Sequence, residues 1–78
     1  MNLSYTKSAQ KSLSRIDKIN RHRIKEVIEK LPLGDIKKLV DFSSAYRLRV
    51  GNWRILFYMN NDEIQITDVL PRGEAYKK

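Results

Sequence analysis

Residues 46–58, YRLRVGNWRILFY, alternate in character on either side of a Gly-Asn pair. Tyr46, Leu48 and Val50 hold one parity before the pair, and Trp53, Ile55 and Phe57 hold it afterwards. A period of two marks strands with one buried face. A two-residue link with Gly at its first position suits a type II′ hairpin turn. The chain is therefore committed to an antiparallel pair of strands in its C-terminal half. The remaining positions, Arg47, Arg49 and Arg54 with Leu56 and Tyr58, face away from the core. Pairing across Gly51-Asn52 brings Arg49 beside Arg54, and like charges placed opposite each other destabilise a sheet. That arrangement makes sense if an anion neutralises them.

The rest of the chain must cover the apolar side of this hairpin. MNLSYT alternates and predicts a short strand. From Lys7 the period lengthens: Ala9, Leu13 and Ile16 recur at helical spacing, with Thr6 or Ser8 as the cap. Asp17 or Asn20 caps a second helix, whose stripe is Ile24, Val27, Ile28 and Leu31 and which Pro32 and Gly34 end. LGDIKKLVDFSSA carries apolar anchors without a clean period and reads as a packed loop with, at most, a short turn or strand. NND at 60–62 is a second turn, and EIQITDVL is a further strand with Ile64, Ile66 and Leu70 on one side. Asp68 interrupts that side, which calls for a β-bulge or a buried ion pair. The expected fold is α+β, in the order β-α-α-β-β-β, with a helical hairpin on one face of a small antiparallel sheet. The other face stays open.

Seventy-eight residues make one domain, 1–78, near the lower limit for a self-sufficient core. Without cysteine there is no disulfide or thiolate site to reinforce it. No signal-peptide-like or membrane-spanning apolar run is present, so a soluble, cytoplasmic protein is expected. The net charge of +7 suggests a polyanionic partner. His22, the one histidine, falls on the polar side of a helix, and no acidic or histidine cluster has metal-ligand spacing. With no histidine placed to serve a serine, hydrolase triads are unsupported, and the glycines belong to turns rather than to a phosphate loop. What remains is guanidinium and phenol: Arg47, Arg49, Arg54 and Arg72, with Tyr58 and Tyr76, form a set suited to single-stranded RNA.

YRLRVGNWRILF, followed by an acidic turn, a β-branched strand and VLPRGEAY, resembles the RelE branch of the RelE/ParE toxin superfamily. The opening strand, KSAQKSL and EKLPLGDIKKL extend the resemblance over nearly the whole chain. It implies a toxin of a type II toxin–antitoxin system that cuts messenger RNA in the decoding site of the 70S ribosome, without metal or cofactor. The ribose 2′-hydroxyl attacks the adjacent phosphate. By motif position Arg54 stabilises the transferring phosphate, and Arg72 at the last strand's exit and Tyr76, which stacks on or polarises the substrate, are catalytic with it, while Arg47 and Arg49 grip phosphate or assist acid/base work. Pro71 stands where many relatives carry histidine and Ala45 where some carry a basic residue, leaving Glu74 as a substitute base. The resemblance also implies a cognate antitoxin, acidic and encoded next door. Two other readings share the fold: a ParE-like, non-catalytic inhibitor of DNA gyrase, and a degenerate toxin kept as a binding module.

Overall fold

Changes of hydrophobic period along the chain become changes of element. The computed structural model describes residues 2–39 and 45–71. In chain order these form β1 (Asn2–Tyr5), α1 (Lys7–Ser14), α2 (Lys18–Glu29), β2 (Asp35–Lys38), β3 (Ala45–Val50), β4 (Trp53–Met59) and β5 (Glu63–Pro71). The strands make one five-stranded sheet in the order β1-β5-β4-β3-β2.

Both helices are capped by side chains that the sequence offered. Thr6 Oγ1 accepts from the Ala9 amide at 3.1 Å, and Asp17 Oδ2 from the Asn20 amide at 3.1 Å. The Asn20 side chain donates to Asp17 Oδ1 at 2.7 Å. These bonds hold the Asp17 carboxyl below the usual carboxylate range. The helices lay Ala9, Leu13, Ile16, Ile24 and Ile28 on the sheet, where they meet Leu48, Val50, Ile55, Phe57, Ile64, Ile66 and Val69. Each large side chain buried there contributes about 1.5–3 kcal/mol. Phe57 also stacks on Tyr46, with ring centroids 5.5 Å apart.

The α+β class, the helical layer on one face and a bulge near Asp68 agree with expectation; the segment after α2 takes its short-strand alternative, while the mixed sheet and the inward residue of β5 differ. The sheet is mixed, because β1 pairs parallel to β5 while the other pairings are antiparallel. Part of the segment expected to be a loop is the edge strand β2, with Ile36 inward and Asp35 and Lys37 across from Arg49 and Arg47. The irregularity near Asp68 is a bulge. Leu56 pairs with Asp68 but Phe57 pairs with Ile66, so Thr67 is the extra residue and its hydroxyl donates to the Leu56 carbonyl at 3.1 Å. The bulge changes the parity of β5, so that Val69, not Leu70, enters the core.

The hairpin turn forms as expected. Gly51 has φ +56° and among the described residues no non-glycine residue has positive φ, so Asn52 is negative and the turn is type II′. In the second turn Asn60 Oδ1 accepts from the amides of Asp62 and Glu63, both at 2.9 Å. Among the described residues no helix is long and apolar enough to cross a membrane.

Candidate nucleic-acid interface

The sheet face turned away from the helices is organised by register into cross-strand rows. One runs Asp35, Arg49, Arg54, Leu70 across β2, β3, β4 and β5. The next runs Lys37, Arg47, Leu56, Asp68. A third brings Ala45 opposite Tyr58, and Tyr58 opposite Gln65. Side chains directly opposite in an antiparallel pair have Cβ atoms about 4.5–5.5 Å apart, so Arg49 and Arg54 are immediate neighbours. Four cations, Lys37, Arg47, Arg49 and Arg54, share two adjacent rows with two carboxylates at their ends.

The four predicted residues within the described chain meet on this face, in different environments. Arg49 is exposed, and no ion pair joins it to Asp35 across the strand. Arg54 is half-buried. Tyr58 is 46 % exposed, so part of its aromatic surface is open to solvent. Beside it a shallow hollow of about 170 Å³ is bordered by Ala45, Leu56, Tyr58 and Asp68.

Arg47 corrects the expectation of a solvated floor. Its parity is as predicted, but only 7 % of it is exposed. Its Nη1 is buried and has no hydrogen-bond partner among the described residues. Arginine cannot relieve this by losing its proton. A buried donor left unmatched costs about 1–3 kcal/mol, and more when it carries charge. The guanidinium therefore keeps its charge on this face, and phosphate oxygens are acceptors suited to such a group.

Arg72 and Tyr76, predicted as catalytic, and Glu74, predicted as a substitute base, lie outside the described residues. The described chain ends at Pro71, opposite Trp53 and one position along from the Arg54–Leu70 pair. Lys37, Asp35 and Asp68 belong to the face but were not singled out as site residues. The alternation of DIKK around Ile36 was the available signal for the first two. His22 is solvated on α2 and pairs with Glu26, Nε2 to Oε1 at 3.2 Å. Among the described residues no group of three or more His, Cys, Asp or Glu is placed to hold a metal ion.

Comparison with known proteins gives a consistent set of relatives. The profile of the family described as the ParE toxin of the type II toxin–antitoxin system parDE matches residues 3–76. Toxin RelE3 of Methanocaldococcus jannaschii is 34 % identical over 84 aligned residues, covering 97 % of this chain and 96 % of that protein. The RelB–RelE antitoxin–toxin complex of Methanococcus jannaschii superposes with a TM-score of 0.77 at 36 % identity, covering 92 % of this chain and 93 % of the other. The archaeal RelE–RelB complex of Pyrococcus horikoshii gives 0.74 at 25 % identity, covering 92 % and 94 %.

Proposed function

The chain belongs to the RelE/ParE superfamily of type II toxin–antitoxin toxins, and on that premise we propose that it is a metal-independent endoribonuclease cutting messenger RNA on the ribosome. The observation that carries this reading is Arg47: a buried guanidinium with an unmatched Nη1, one row from the Arg49–Arg54 pair. A phosphodiester laid across these rows neutralises the repulsion between the pair and brings negative charge to the row that holds Arg47.

In the proposed reaction the 2′-oxygen bonds to phosphorus as the bond to the 5′-oxygen breaks. A base removes the 2′-hydroxyl proton, the 5′-oxygen takes one up, and the products are a 2′,3′-cyclic phosphate and a 5′-hydroxyl. Charge accumulates on the non-bridging oxygens midway, where preorganised cations stabilise it more than they stabilise the ground state. Arg54, with Arg72, fits that role, and Arg47 and Arg49 fit the grip on the substrate. Tyr58 and Tyr76 offer rings to unstacked bases. Guanidinium is too basic to take the proton, so the arginines supply charge and position rather than acid–base chemistry.

The toxin would act in the cytoplasm and be held by a cognate antitoxin. The relatives in complex with RelB support that partner. The test is incubation with programmed ribosomes and mapping of breaks by primer extension. Codon-phased cuts that disappear in Arg54→Ala are expected. Because the matching family profile is that of ParE toxins, the second reading is a non-catalytic gyrase inhibitor. Intact message together with blocked DNA supercoiling would establish it instead.

A further inference from the structure

The proposed reaction needs a base, and guanidinium cannot be one. A suitable group must lie within reach of the phosphate that Arg54 holds, and register ranks the carboxylates of the open face by that criterion. Asp35 is at the far end of its row, with Arg49 between it and Arg54. Neighbouring strands lie about 4.8 Å apart, which sets Asp35 about 10 Å from Arg54. Glu63 faces the turn end of β4, beyond the Met59–Ile64 pair, roughly 20 Å from Arg54 at about 3.3 Å per residue. Asp68 pairs with Leu56, while Arg54 pairs with Leu70. It is therefore the diagonal neighbour of Arg54, at about 7–8 Å. A phosphodiester with its attacking ribose hydroxyl spans that gap.

The fold also aims and holds this carboxylate. Ile64 and Ile66 point into the core, and strict alternation from Ile66 would turn position 68 inward as well. The bulge at Thr67 puts Asp68 on the open side instead, and re-aiming a side chain is a recurrent use of bulges beside functional sites. From α1 the Ser8 hydroxyl donates to Asp68 Oδ1 at 3.1 Å, which fixes the orientation of the carboxyl group. Oδ2 has no partner among the described residues. Asp68 is half-buried and makes no ion pair with a described cation. The charges that face it are Arg54 diagonally, and Arg47 and Lys37 farther along its row; α1 brings the neutral Ser8 against it, next to Lys7.

The rows on either side complete a nucleotide-shaped sequence of groups. Tyr58, Leu56 and Arg54 are alternate residues of β4 on the open face, about 6.6 Å apart in turn. Asp68 stands beside the middle one, and the hollow of about 170 Å³ lies between it and Tyr58. A base on the exposed part of the Tyr58 ring sets its ribose over Leu56. The 2′-hydroxyl then comes to Asp68, and the 3′-phosphate to Arg54. Base, sugar and phosphate each meet the kind of group that suits them, in the order in which a nucleotide presents them.

We propose that Asp68 is the general base of the cleavage reaction and that Ser8 is its positioning residue, an inference that rests on the nuclease reading above. Asp68 Oδ2 takes the proton of the 2′-hydroxyl as the 2′-oxygen bonds to phosphorus and the bond from phosphorus to the 5′-oxygen breaks. The 5′-oxygen takes a proton from water. The acid form of Asp68 returns its proton to the hydroxide left behind, so the protein ends as it began. Arg54 meets the charge that builds on the non-bridging oxygens.

The test is single-turnover cleavage of message on programmed ribosomes by the full chain, with affinity for single-stranded RNA measured separately by fluorescence anisotropy. Asp68→Asn keeps an acceptor for Ser8 and removes the charge and the basicity. Its cleavage rate is expected to fall by about 10²–10⁴-fold, while affinity holds or tightens because a negative charge has left the face. Ser8→Ala breaks the hydroxyl bond and is expected to cost far less. Formate, a small diffusible carboxylate, should restore part of the rate lost in Asp68→Ala and none of that lost in Arg54→Ala. Urea midpoints establish that each variant folds. A parental rate in Asp68→Asn would overturn the proposal, and so would a loss in Ser8→Ala equal to that in Asp68→Asn, which would mark the pair as a structural tie. Equal rescue of both alanine variants by formate would overturn it too. A parent that leaves the message intact removes the nuclease reading and this one with it; a parent that cuts beside an equally active Asp68→Asn removes this one alone.

Discussion

The two faces of the β3–β4 hairpin are built from alternate residues of the same thirteen-residue stretch, yet they follow opposite rules. On the helix side Leu48 and Ile55 face each other, both completely buried, and Phe57 is 1 % exposed. Every contact there lowers the free energy of the folded state. On the open side Arg49 faces Arg54, and Arg47 is buried with a donor unmatched among the described residues. On the proposed function, the difference places stability and binding on separate parities of one hairpin, so substitutions should separate them.

The hardest test of that separation is Phe57→Ala. A buried aromatic truncated to alanine costs about 3–5 kcal/mol, and the urea midpoint should fall accordingly. An unchanged midpoint would mean that the burial of Phe57 does not stabilise the fold. On the opposite parity, Arg54→Ala should leave the urea midpoint close to that of the parent while cleavage on ribosomes falls by about 10²–10³-fold, the loss typical of removing one donor to a developing charge. A large loss of stability in this variant would collapse the distinction between the faces.

Arg47→Met sharpens it further, because the two readouts should move in opposite directions. Removing a buried, unmatched guanidinium should raise stability by about 1–3 kcal/mol, and affinity for single-stranded RNA should drop. Parallel losses in both would mean that Arg47 supports the fold.

The smallest effect lies off the sheet and serves as its control. The Asp17 carboxyl is depressed below its unfolded value by bonds to Asn20, so its contribution is present above the unfolded pKa and is lost as pH falls through the folded one. The group is fully exposed, so the effect is slight. Asp17→Ser keeps a cap and removes the titration. The acid limb of a stability–pH curve should flatten slightly, with RNA cleavage unchanged.

What could be read from the chain beforehand follows the same division. The hairpin, its turn type and the parity of its arginines were legible, because alternation and a Gly-Asn link are local signals. Both caps were within the alternatives offered by Thr6 and Asp17. The parallel pairing of β1 was not legible, since the register of Leu3 against Ile64 depends on where two helices return the chain rather than on neighbouring residues. At four residues, β2 is too short for its period to stand out. The burial of Arg47 was hidden for a different reason: parity says which way a side chain points, and only the assembled neighbours say how much water reaches it.

Thr67 makes the last of these points in reverse. An inserted residue in a strand is a change of phase: everything beyond it is turned over relative to everything before. Ile64 and Ile66 sit on one side of that change and Val69 on the other, three positions apart yet in the same core. Deleting Thr67 would therefore leave the faces as they are: Ile66, Asp68 and Val69 would become consecutive residues opposite Phe57, Leu56 and Ile55, with Asp68 still outward and Val69 still in the core. What would go is the bulge itself, with its local twist and the hydroxyl bond to the Leu56 carbonyl. A second insertion is what would invert the strand, so amide hydrogen exchange over residues 68–71 should stay close to the parent's in the deletion and lose protection when a residue is added after Thr67.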